Sequence, residues 1–237
     1  MGFRPHGAAT LRGDMLASRQ HLPLQGAAGG RPGATTALRV RRRDGTTGSV
    51  STSESGVVID DGDVFEFACA SGGGYGDPLD REPALVLADV AAGRLTPDEA
   101  TDTYAVAFAS DGTVDDDATA RRRDARRHER LAVATAPETA RSLDAATRAQ
   151  TDRAAALPLY PGVVQRANVA FAEASGAVLA LAPAHWTDGC PVIEELGAGV
   201  VVRTYLDPLT GRALHVEAVP TGAGRSFAVL PRRWTQA

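Results

Sequence analysis

Lysine is absent from the sequence, so arginine accounts for all 25 residues of the lysine-plus-arginine total. This absence excludes a phosphate-binding loop of the Walker type, which needs a Gly-Lys-Ser/Thr end. The chain also has no basic excess, because its formal net charge is −4 and its isoelectric point is near 5.7. Contacts to nucleic-acid phosphates need such an excess. We therefore expect no nucleic-acid partner.

Cysteines and long apolar stretches are scarce as well. Cys69 and Cys190 lie far apart without a neighbouring cysteine, so neither a disulfide framework nor a Cys-x-x-Cys zinc pattern is present. No apolar run approaches the ~18–20 residues that a membrane-spanning helix needs. The first residues also lack the apolar segment of a secretory signal. We expect a cytoplasmic protein with no membrane partner.

The remaining composition is typical of a globular protein, since 43% of the 237 residues are hydrophobic and 23% are charged. A chain of this length can bury one large core or two small ones. Stretches typical of strands lie on both sides of a helical middle. The sequence therefore predicts an α+β fold in three parts: a β-rich region over 1–79, a helical segment over 80–157 and a small β-rich domain over 158–237.

The first part is predicted to form strands only after residue 36. Residues 1–36 are rich in glycine and lack apolar periodicity, which indicates loop and turn and resembles the middle of a domain. Cys69 is expected to be a small buried residue, with a reactive thiol as the alternative. The predicted strands are Ala37–Arg43, which ends in a hairpin signal at Asp44-Gly45, then Gly56–Ile59 and Val64–Cys69.

The middle part carries several helix signals. A helix is predicted over Glu82–Ala92. Thr96-Pro97-Asp98-Glu99 matches a capping box, with threonine as the cap, proline at the first helical position and glutamate three residues after the threonine. The acids at 115–117 are expected to begin a further helix, because the helix dipole favours negative charge there. Pro137 is expected to break that helix, and a last one is predicted over Pro137–Ala156.

A run of arginines follows these acids in the middle part of the chain. We interpret the arginines as a solvated helix face, with binding of nucleic acid or phosphate as the alternative. They are Arg121, Arg122, Arg123, Arg126, Arg127 and Arg130.

The third part of the chain returns to patterns typical of strands. The strands are predicted at Val163–Glu173, Val178–Ala182, Val200–Leu206, Leu214–Val219 and Ser226–Leu230, with a turn at Asp207 to Gly211.

The first candidate site is the glycine loop, which comprises Gly72, Gly73, Gly74, Tyr75, Gly76 and Asp77. A glycine-rich turn between a strand and a helix can hold phosphate through its backbone N–H groups. The dinucleotide-binding pattern fails here, because Asp77 stands where that pattern needs a third glycine. A tight structural turn is the preferred interpretation, and Tyr75 and Asp77 are the members to test for a role at a site.

The second candidate site comprises His185, Cys190 and His215. Histidine and cysteine can ligate zinc, although structural zinc sites usually have ligands paired at short spacing. A metal site, a nucleophilic Cys190 and a well-packed turn therefore stay open as interpretations. The chemistry of the residues alone does not identify a reaction.

One long, ordered set of residues resembles a known family. The set is Gly29-Gly30-Arg31-Pro32-Gly33, Asp61-Gly62-Asp63, Gly72 to Pro83, Val86, Ala88-Asp89-Val90, Gly93, Glu99-Ala100, Tyr104-Ala105-Val106, Val114-Asp115 and Ala118-Thr119. It resembles the C-terminal signature of the hydantoinase B / 5-oxoprolinase (N-methylhydantoinase B) family over roughly residues 10–130. The departures are Ser71 and Ala105, where that family usually has glycine. Residues 158–237 resemble the small gamma subunit of acetone carboxylases, but the paired zinc cysteines of such a subunit are absent.

The resemblance implies a subunit of an ATP-dependent enzyme that hydrolyses cyclic amides or carboxylates a ketone. In that family an A-type subunit binds ATP, so ATP and a divalent metal are expected in the wider complex and no cofactor is assigned to this chain. B-type subunits of that family are more than twice as long as this chain. We therefore expect the chain to correspond to roughly the C-terminal third of such a subunit and to be inactive on its own. Its expected partners are a hydantoinase A-like subunit and the N-terminal portion of a B-type subunit. A non-catalytic assembly module is the alternative hypothesis.

Overall fold

The computed structural model describes residues 1–137, 142–197 and 199–224. The chain divides into two compact units: the first comprises residues 1–26 and 31–74, and the second comprises 27–30 and the chain from Tyr75 onward. Helices and strands are both well represented, and the strands of each sheet pair antiparallel. The predicted α+β class is confirmed. The predicted boundaries at 79/80 and 157/158 stay predictions.

The first unit is built from strands. They are β1 (Gly2–Phe3), β2 (Thr10–Leu16), β3 (Ala37–Arg41), β4 (Thr47–Val50), β5 (Ser53–Asp60) and β6 (Val64–Ala68). One sheet has the order β1-β6-β3-β4, and β2 pairs with β5 in a second. Alternate residues of a strand point to opposite faces, so Leu38 and Val40 of β3 reach the same core as Val57 and Ile59 of β5.

Two sequence predictions for the first unit are wrong. The region predicted as loop contains β2, whose core-facing positions include Gly13, so the apolar alternation that marks a strand is broken. Its partner β5 lies about 40 residues later, beyond the reach of a local pattern. Cys69, expected to be buried, is exposed, because β6 ends at Ala68. The predicted hairpin at Asp44-Gly45 is confirmed by the pairing of β3 with β4.

The second unit contains all of the described helices and the remaining strands. The helices are α1 (Pro83–Ala91), α2 (Pro97–Tyr104), α3 (Asp116–Val133) and α4 (Ala145–Arg153). The strands are β7 (Leu157–Tyr160), β8 (Val163–Arg166), β9 (Val169–Ala172), β10 (Val178–Leu181), β11 (Val192–Gly197), β12 (Val200–Leu206) and β13 (Ala213–Pro220). Short 3₁₀ turns lie at Pro78–Asp80 and Trp186–Gly189. The sheets have the orders β10-β9-β8-β7 and β11-β12-β13.

The predicted helix starts are confirmed in atomic detail. The Thr96 side chain accepts a hydrogen bond from the Glu99 N–H at 3.1 Å, and the Glu99 carboxylate accepts one from the Thr96 N–H at 2.7 Å. Asp115 caps α3 by accepting from the Ala118 N–H. These contacts satisfy N–H groups that have no partner inside the helix. The last predicted helix is shorter than expected, since only α4 is found and residues 138–141 lie outside the described part of the chain.

The predicted strand over Val163–Glu173 is wrong because the structure forms a hairpin there. The chain turns between β8 and β9 at Ala167, whose φ is 52°. The Gln165 side-chain amide donates to the Ala167 carbonyl at 2.6 Å, which holds the turn without glycine or proline. The sequence carried one usual turn residue, Asn168, but without the following glycine of the common hairpin pairs. The strand predicted at Ser226–Leu230 lies outside the described residues.

Apolar packing in the second unit forms two clusters. Trp186, Leu179 and Leu214 belong to the core that joins the sheet of β7–β10 to the sheet of β11–β13. Val86, Ala100 and Val106 belong to a smaller core under α1 and α2. Full burial of a large apolar side chain is worth about 1.5–3 kcal/mol, so these clusters hold the elements that carry the polar groups below. None of the described helices is both long and apolar enough to cross a membrane.

Replacement of Ala105 by glycine should stabilise the protein. Ala105 ends α2 in the left-handed conformation, with φ 53° and ψ 32°, which costs an alanine energy that glycine does not pay. We expect Ala105→Gly to raise the free energy of unfolding by about 0.5 kcal/mol, and Ala100→Gly inside α2 to lower it by about 1 kcal/mol. Urea titration of both variants checks this. A loss of stability in Ala105→Gly would contradict it.

Candidate functional site

The glycines at the start of the loop allow close approach of main-chain segments within the first unit. A Cβ added at Gly73 would collide with the main chain of Gln25 and Gly26. The Gly74 N–H donates to the Arg31 carbonyl at 2.8 Å. A Cβ at Gly72, by contrast, would meet open space. Position 73 therefore needs glycine because the main chain of another loop lies against it, which agrees with the interpretation of the glycine loop as a tight structural turn.

Tyr75 and Gly76 continue the loop in the second unit. Tyr75 forms an isolated bridge with Ala27, and the Gly76 N–H donates to the Ala27 carbonyl at 2.9 Å. Gly76 has a φ of 78°, which a side chain would disfavour. The Tyr75 side chain is 75% exposed. Tyr75 therefore remains accessible to a partner, whereas the backbone beside it is tied down.

Asp77, the last residue of the loop, is completely buried as a side chain. Its Oδ1 accepts from the Leu79 N–H at 3.0 Å and so caps the first 3₁₀ turn. Its Oδ2 accepts from the Ala213 N–H at 2.8 Å, at the start of β13. The Arg130 guanidinium of α3 donates to both oxygens, at 2.6 and 3.2 Å. Such a bidentate, charge-assisted pair is among the stronger polar contacts in proteins.

Two further arginines of α3 make contacts on the same side of the helix. Arg127 pairs with Asp80 at 2.7 Å, and Asp80 also pairs with Arg212. Arg123 donates to two main-chain carbonyls, those of Arg81 and Tyr104, at 2.6 and 3.1 Å. Residues 123, 127 and 130 recur at spacings of four and three, which is one face of a helix. The predicted solvated face is therefore wrong for these three arginines, although Arg121 and Arg126 are exposed.

A cleft of about 380 Å³ lies beside this face of α3. Its charged lining comprises Asp80, Asp116, Asp124, Arg123 and Arg127. The carboxylates outnumber the guanidiniums, so the cleft has no positive excess with which to hold a phosphate. This matches the absence of a nucleotide-binding motif in the sequence.

The second candidate set surrounds one tryptophan. The His185 ring stacks on Trp186 with centroids 6.0 Å apart, and the His215 ring meets Trp186 edge-on at 6.1 Å. The Cys190 thiol donates to the Trp186 carbonyl at 3.8 Å and is buried. His185 Nδ1 also lies 2.7 Å from the Thr187 hydroxyl, within the same 3₁₀ turn. Ring packing and local hydrogen bonds of this kind favour the interpretation of a well-packed turn. Among the described residues, no group of three or more His, Cys, Asp or Glu side chains is arranged to hold a metal ion.

The structure adds polar partners of His215 that the sequence did not single out. The Tyr160 hydroxyl lies 3.0 Å from His215 Nδ1 and accepts from the Ala28 N–H at 3.1 Å. The Tyr205 hydroxyl donates to Glu217, and the Tyr205 ring stacks on His215. Tyr160 and His215 are 55 residues apart in sequence. No local signal could have found them, because only the packing of β7 against β13 brings them together.

Burial sets the protonation of the Tyr160–His215 pair. Desolvation lowers the pKa of His215, and the charge of Glu217 opposes this in part. Desolvation also raises the pKa of Tyr160. Both shifts favour the neutral forms. The tautomer of the neutral imidazole decides the direction of their hydrogen bond: an unprotonated His215 Nδ1 accepts from the Tyr160 hydroxyl, and a protonated one donates to it.

Parts of the chain are similar to parts of larger proteins of known structure. No family model matches the chain, and no curated protein matches it. The crystal structure of an ATP-dependent caprolactamase from Pseudomonas jessenii is similar, with 28% identity over 46% of this chain and 20% of that chain and a TM-score of 0.40. A nucleotide-free acetone carboxylase structure is similar as well, with 22% identity over 54% of this chain and 20% of that chain and a TM-score of 0.38. The chain spans about a fifth of the length of these solved structures.

Removal of Arg130 should destabilise the second unit far more than removal of its neighbour Arg126. Arg130→Met leaves the Asp77 carboxylate buried without its ion-pair partner, which costs about 3–5 kcal/mol in comparable cases. Arg126→Met on the exposed face should change the free energy of unfolding by no more than about 0.5 kcal/mol. Urea unfolding followed by tryptophan fluorescence gives both values. Equal effects of the two substitutions would contradict the assigned role of Arg130.

Acidification should destabilise the protein through His215. The folded-state pKa of His215 lies below the unfolded value of about 6.5, so between these two values the unfolded chain binds more protons. The free energy of unfolding should therefore fall as pH falls below about 6.5. His215→Gln should reduce this pH dependence, and His128→Gln, which replaces an exposed histidine of α3, is the matched control. Urea titrations between about pH 5 and pH 7.5 measure the slope; an equal slope in all three proteins would rule His215 out.

Proposed function

We propose that the chain is the C-terminal portion of a subunit of an ATP-dependent amidohydrolase of the hydantoinase/5-oxoprolinase type, or of a related acetone/acetophenone-type carboxylase. The observation that carries this proposal is the ordered set of signature residues, which runs from Gly29 through the glycine loop to Thr119. The reaction belongs to the complex, and the isolated chain is inactive.

The contacts of the signature residues support a scaffolding contribution. Gly29 packs so closely on β13 that a Cβ would collide with the Ala213 carbonyl. Asp77 uses its carboxylate oxygens for Arg130 and for main-chain N–H groups of its own unit. A group engaged in this way is poorly placed to act as an acid, a base or a metal ligand. The chemistry of the complex is therefore assigned to other polypeptide.

The proposed partners follow from the same resemblance. A hydantoinase A-like subunit supplies ATP binding, and the N-terminal portion of a B-type subunit supplies the presumed active-site residues. ATP and a divalent metal are bound there and not by this chain. Tyr75 is the signature residue best placed to touch such a partner, because its ring is exposed while its main chain is held.

A second candidate function is a non-catalytic structural or assembly module of such a complex. The full engagement of the Asp77 carboxylate in the interior favours it. The two proposals differ in one expectation: replacement of Tyr75 slows turnover if the chain helps to build the active site. The same replacement leaves turnover of the assembled complex unchanged if the chain only assists assembly.

Co-expression with a hydantoinase A-like subunit and an N-terminal B-type portion tests the proposal. We expect a purified complex that hydrolyses ATP when a hydantoin or 5-oxoproline is added, or when acetone and bicarbonate are added. Tyr75→Ala is compared with Leu209→Ala, which removes another exposed apolar side chain of the same unit. Turnover per assembled complex and partner retention are measured separately. A chain that retains no partner, with no substrate-dependent ATP hydrolysis, overturns the proposal.

A further inference from the structure

β2 has one edge without a strand beside it. It pairs with β5 along one side, and among the described residues no other strand pairs with it. An edge strand carries a row of N–H and C=O groups that can pair with another chain. Exposed apolar side chains accompany this edge: Leu16 is 92% exposed and Leu11 is 42% exposed.

The register of β2 against β5 shows which main-chain groups face the free edge. The Asp61 N–H donates to the Ala9 carbonyl, and the Ala17 N–H donates to the Thr52 carbonyl, each at 2.8 Å. In an antiparallel ladder the direction of these groups alternates along the strand. The register shifts between Gly13, opposite Val57, and Met15, opposite Glu54, so the extra residue of this bulge lies in β5. The alternation along β2 is therefore kept, and its odd-numbered residues point their main-chain groups at β5. The groups that point to the free edge belong to Thr10, Arg12, Asp14 and Leu16.

The side chains of β2 are arranged nearly symmetrically about Gly13. Leu11 and Gly13 lie opposite Ile59 and Val57, which belong to the core, so Leu11, Gly13 and Met15 share the inner face. Arg12 and Asp14 flank Gly13 on the outer face, and both are exposed. Arg12 makes no ion pair with any other residue of the described part of the chain, while Asp14 Oδ1 accepts from the Gly56 N–H at 2.9 Å. The second oxygen of Asp14 stays accessible on that face.

We propose that this edge pairs with β2 of a second copy of the chain, antiparallel, with Gly13 on the two-fold axis. In that register Arg12 of each copy lies opposite Asp14 of the other. Leu11 of each copy lies opposite Met15 of the other on the inner face. A symmetric dimer repeats each contact twice, so the pairing is self-complementary in both charge and apolar character.

Main-chain geometry and charge select this register over its neighbours. The outward groups of Arg12 and Asp14 make their pairing a hydrogen-bonded one, and Gly13 then meets its copy at a non-hydrogen-bonded pair. Such pairs bring the Cα atoms to about 4.5 Å, which suits a residue without a side chain. A two-fold axis at Arg12 or at Asp14 would instead place like charges opposite each other, which destabilises a sheet.

The dimer is expected to be weak, because an edge of seven residues buries less than the roughly 1,200 Å² typical of stable complexes. Sedimentation velocity of the full chain between about 1 µM and 1 mM should therefore show concentration-dependent dimers. Arg12→Asp should raise the dissociation constant at least about tenfold, since two attractive pairs become repulsive. Arg4→Asp is the control, because it changes the charge equally at another exposed position of the same unit.

Mixing of complementary variants gives the sharpest result. Arg12→Asp and Asp14→Arg should each fail to self-associate, because every cross-strand charge pair becomes like with like. An equimolar mixture should recover dimers, because an acidic strand then faces a basic one. Circular dichroism and melting temperature report folding of each variant. If Asp14→Arg does not fold after losing its bond to Gly56, the cysteine experiment below decides the question.

A cross-link at the axis tests the register directly. Gly13→Cys in a Cys69→Ser background should form a disulfide dimer on mild oxidation, because a Cα separation of about 4.5 Å lies within the range for disulfides. Ser53→Cys on β5 is the control and should not cross-link.

The proposal is overturned by a monomer at about 1 mM, by association that Arg12→Asp does not weaken, or by absence of the Gly13→Cys dimer. If the chain stays monomeric and Arg12→Asp instead weakens binding of a co-expressed subunit, the edge belongs to that subunit. The self-association and cross-linking measurements need neither ATP nor a partner subunit, so their outcome is independent of the proposed function.

Discussion

The buried carboxylate of Asp77 is the constraint on which the second unit depends. Transfer of a carboxylate from water into the interior costs several kcal/mol unless charge and hydrogen bonds compensate for it. Here the compensation comes from the Arg130 guanidinium of α3, from the Leu79 N–H of the 3₁₀ turn and from the Ala213 N–H of β13. One charge therefore determines the relative placement of three segments that are distant in sequence.

The same segments are joined by contacts that surround this charge. Asp80, three residues after Asp77, pairs with Arg127 of α3 and with Arg212 at the approach to β13. These pairs are partly exposed, so each adds little to stability and mainly favours one orientation of α3. Elsewhere in the unit, one buried polar contact is made without charge. The chain from the Ala28 N–H through Tyr160 to His215 uses neutral groups, which burial favours.

In the glycine loop, some residues are engaged in internal contacts and one side chain is exposed. Asp77 and Gly73 of the glycine loop are occupied by internal contacts, and Tyr75 is the member whose side chain is exposed to solvent. Cys190 is buried beside Trp186. We propose that exposed features such as Tyr75 and the free edge of β2 are the ones that contact other polypeptide chains.

Features that depend on neighbouring residues could be predicted from the amino-acid sequence alone. The capping box at Thr96, the Asp115 cap and the turn at Asp44-Gly45 are local, because their hydrogen bonds join residues within a few positions of one another. The α+β class followed from the same local patterns. Which arginines of α3 are solvated depends on tertiary contacts, because Arg123, Arg127 and Arg130 have partners far away in sequence. The strand character of β2 and the meeting of Tyr160 with His215 likewise depend on pairing between distant segments, and no short-range pattern encodes such a pairing.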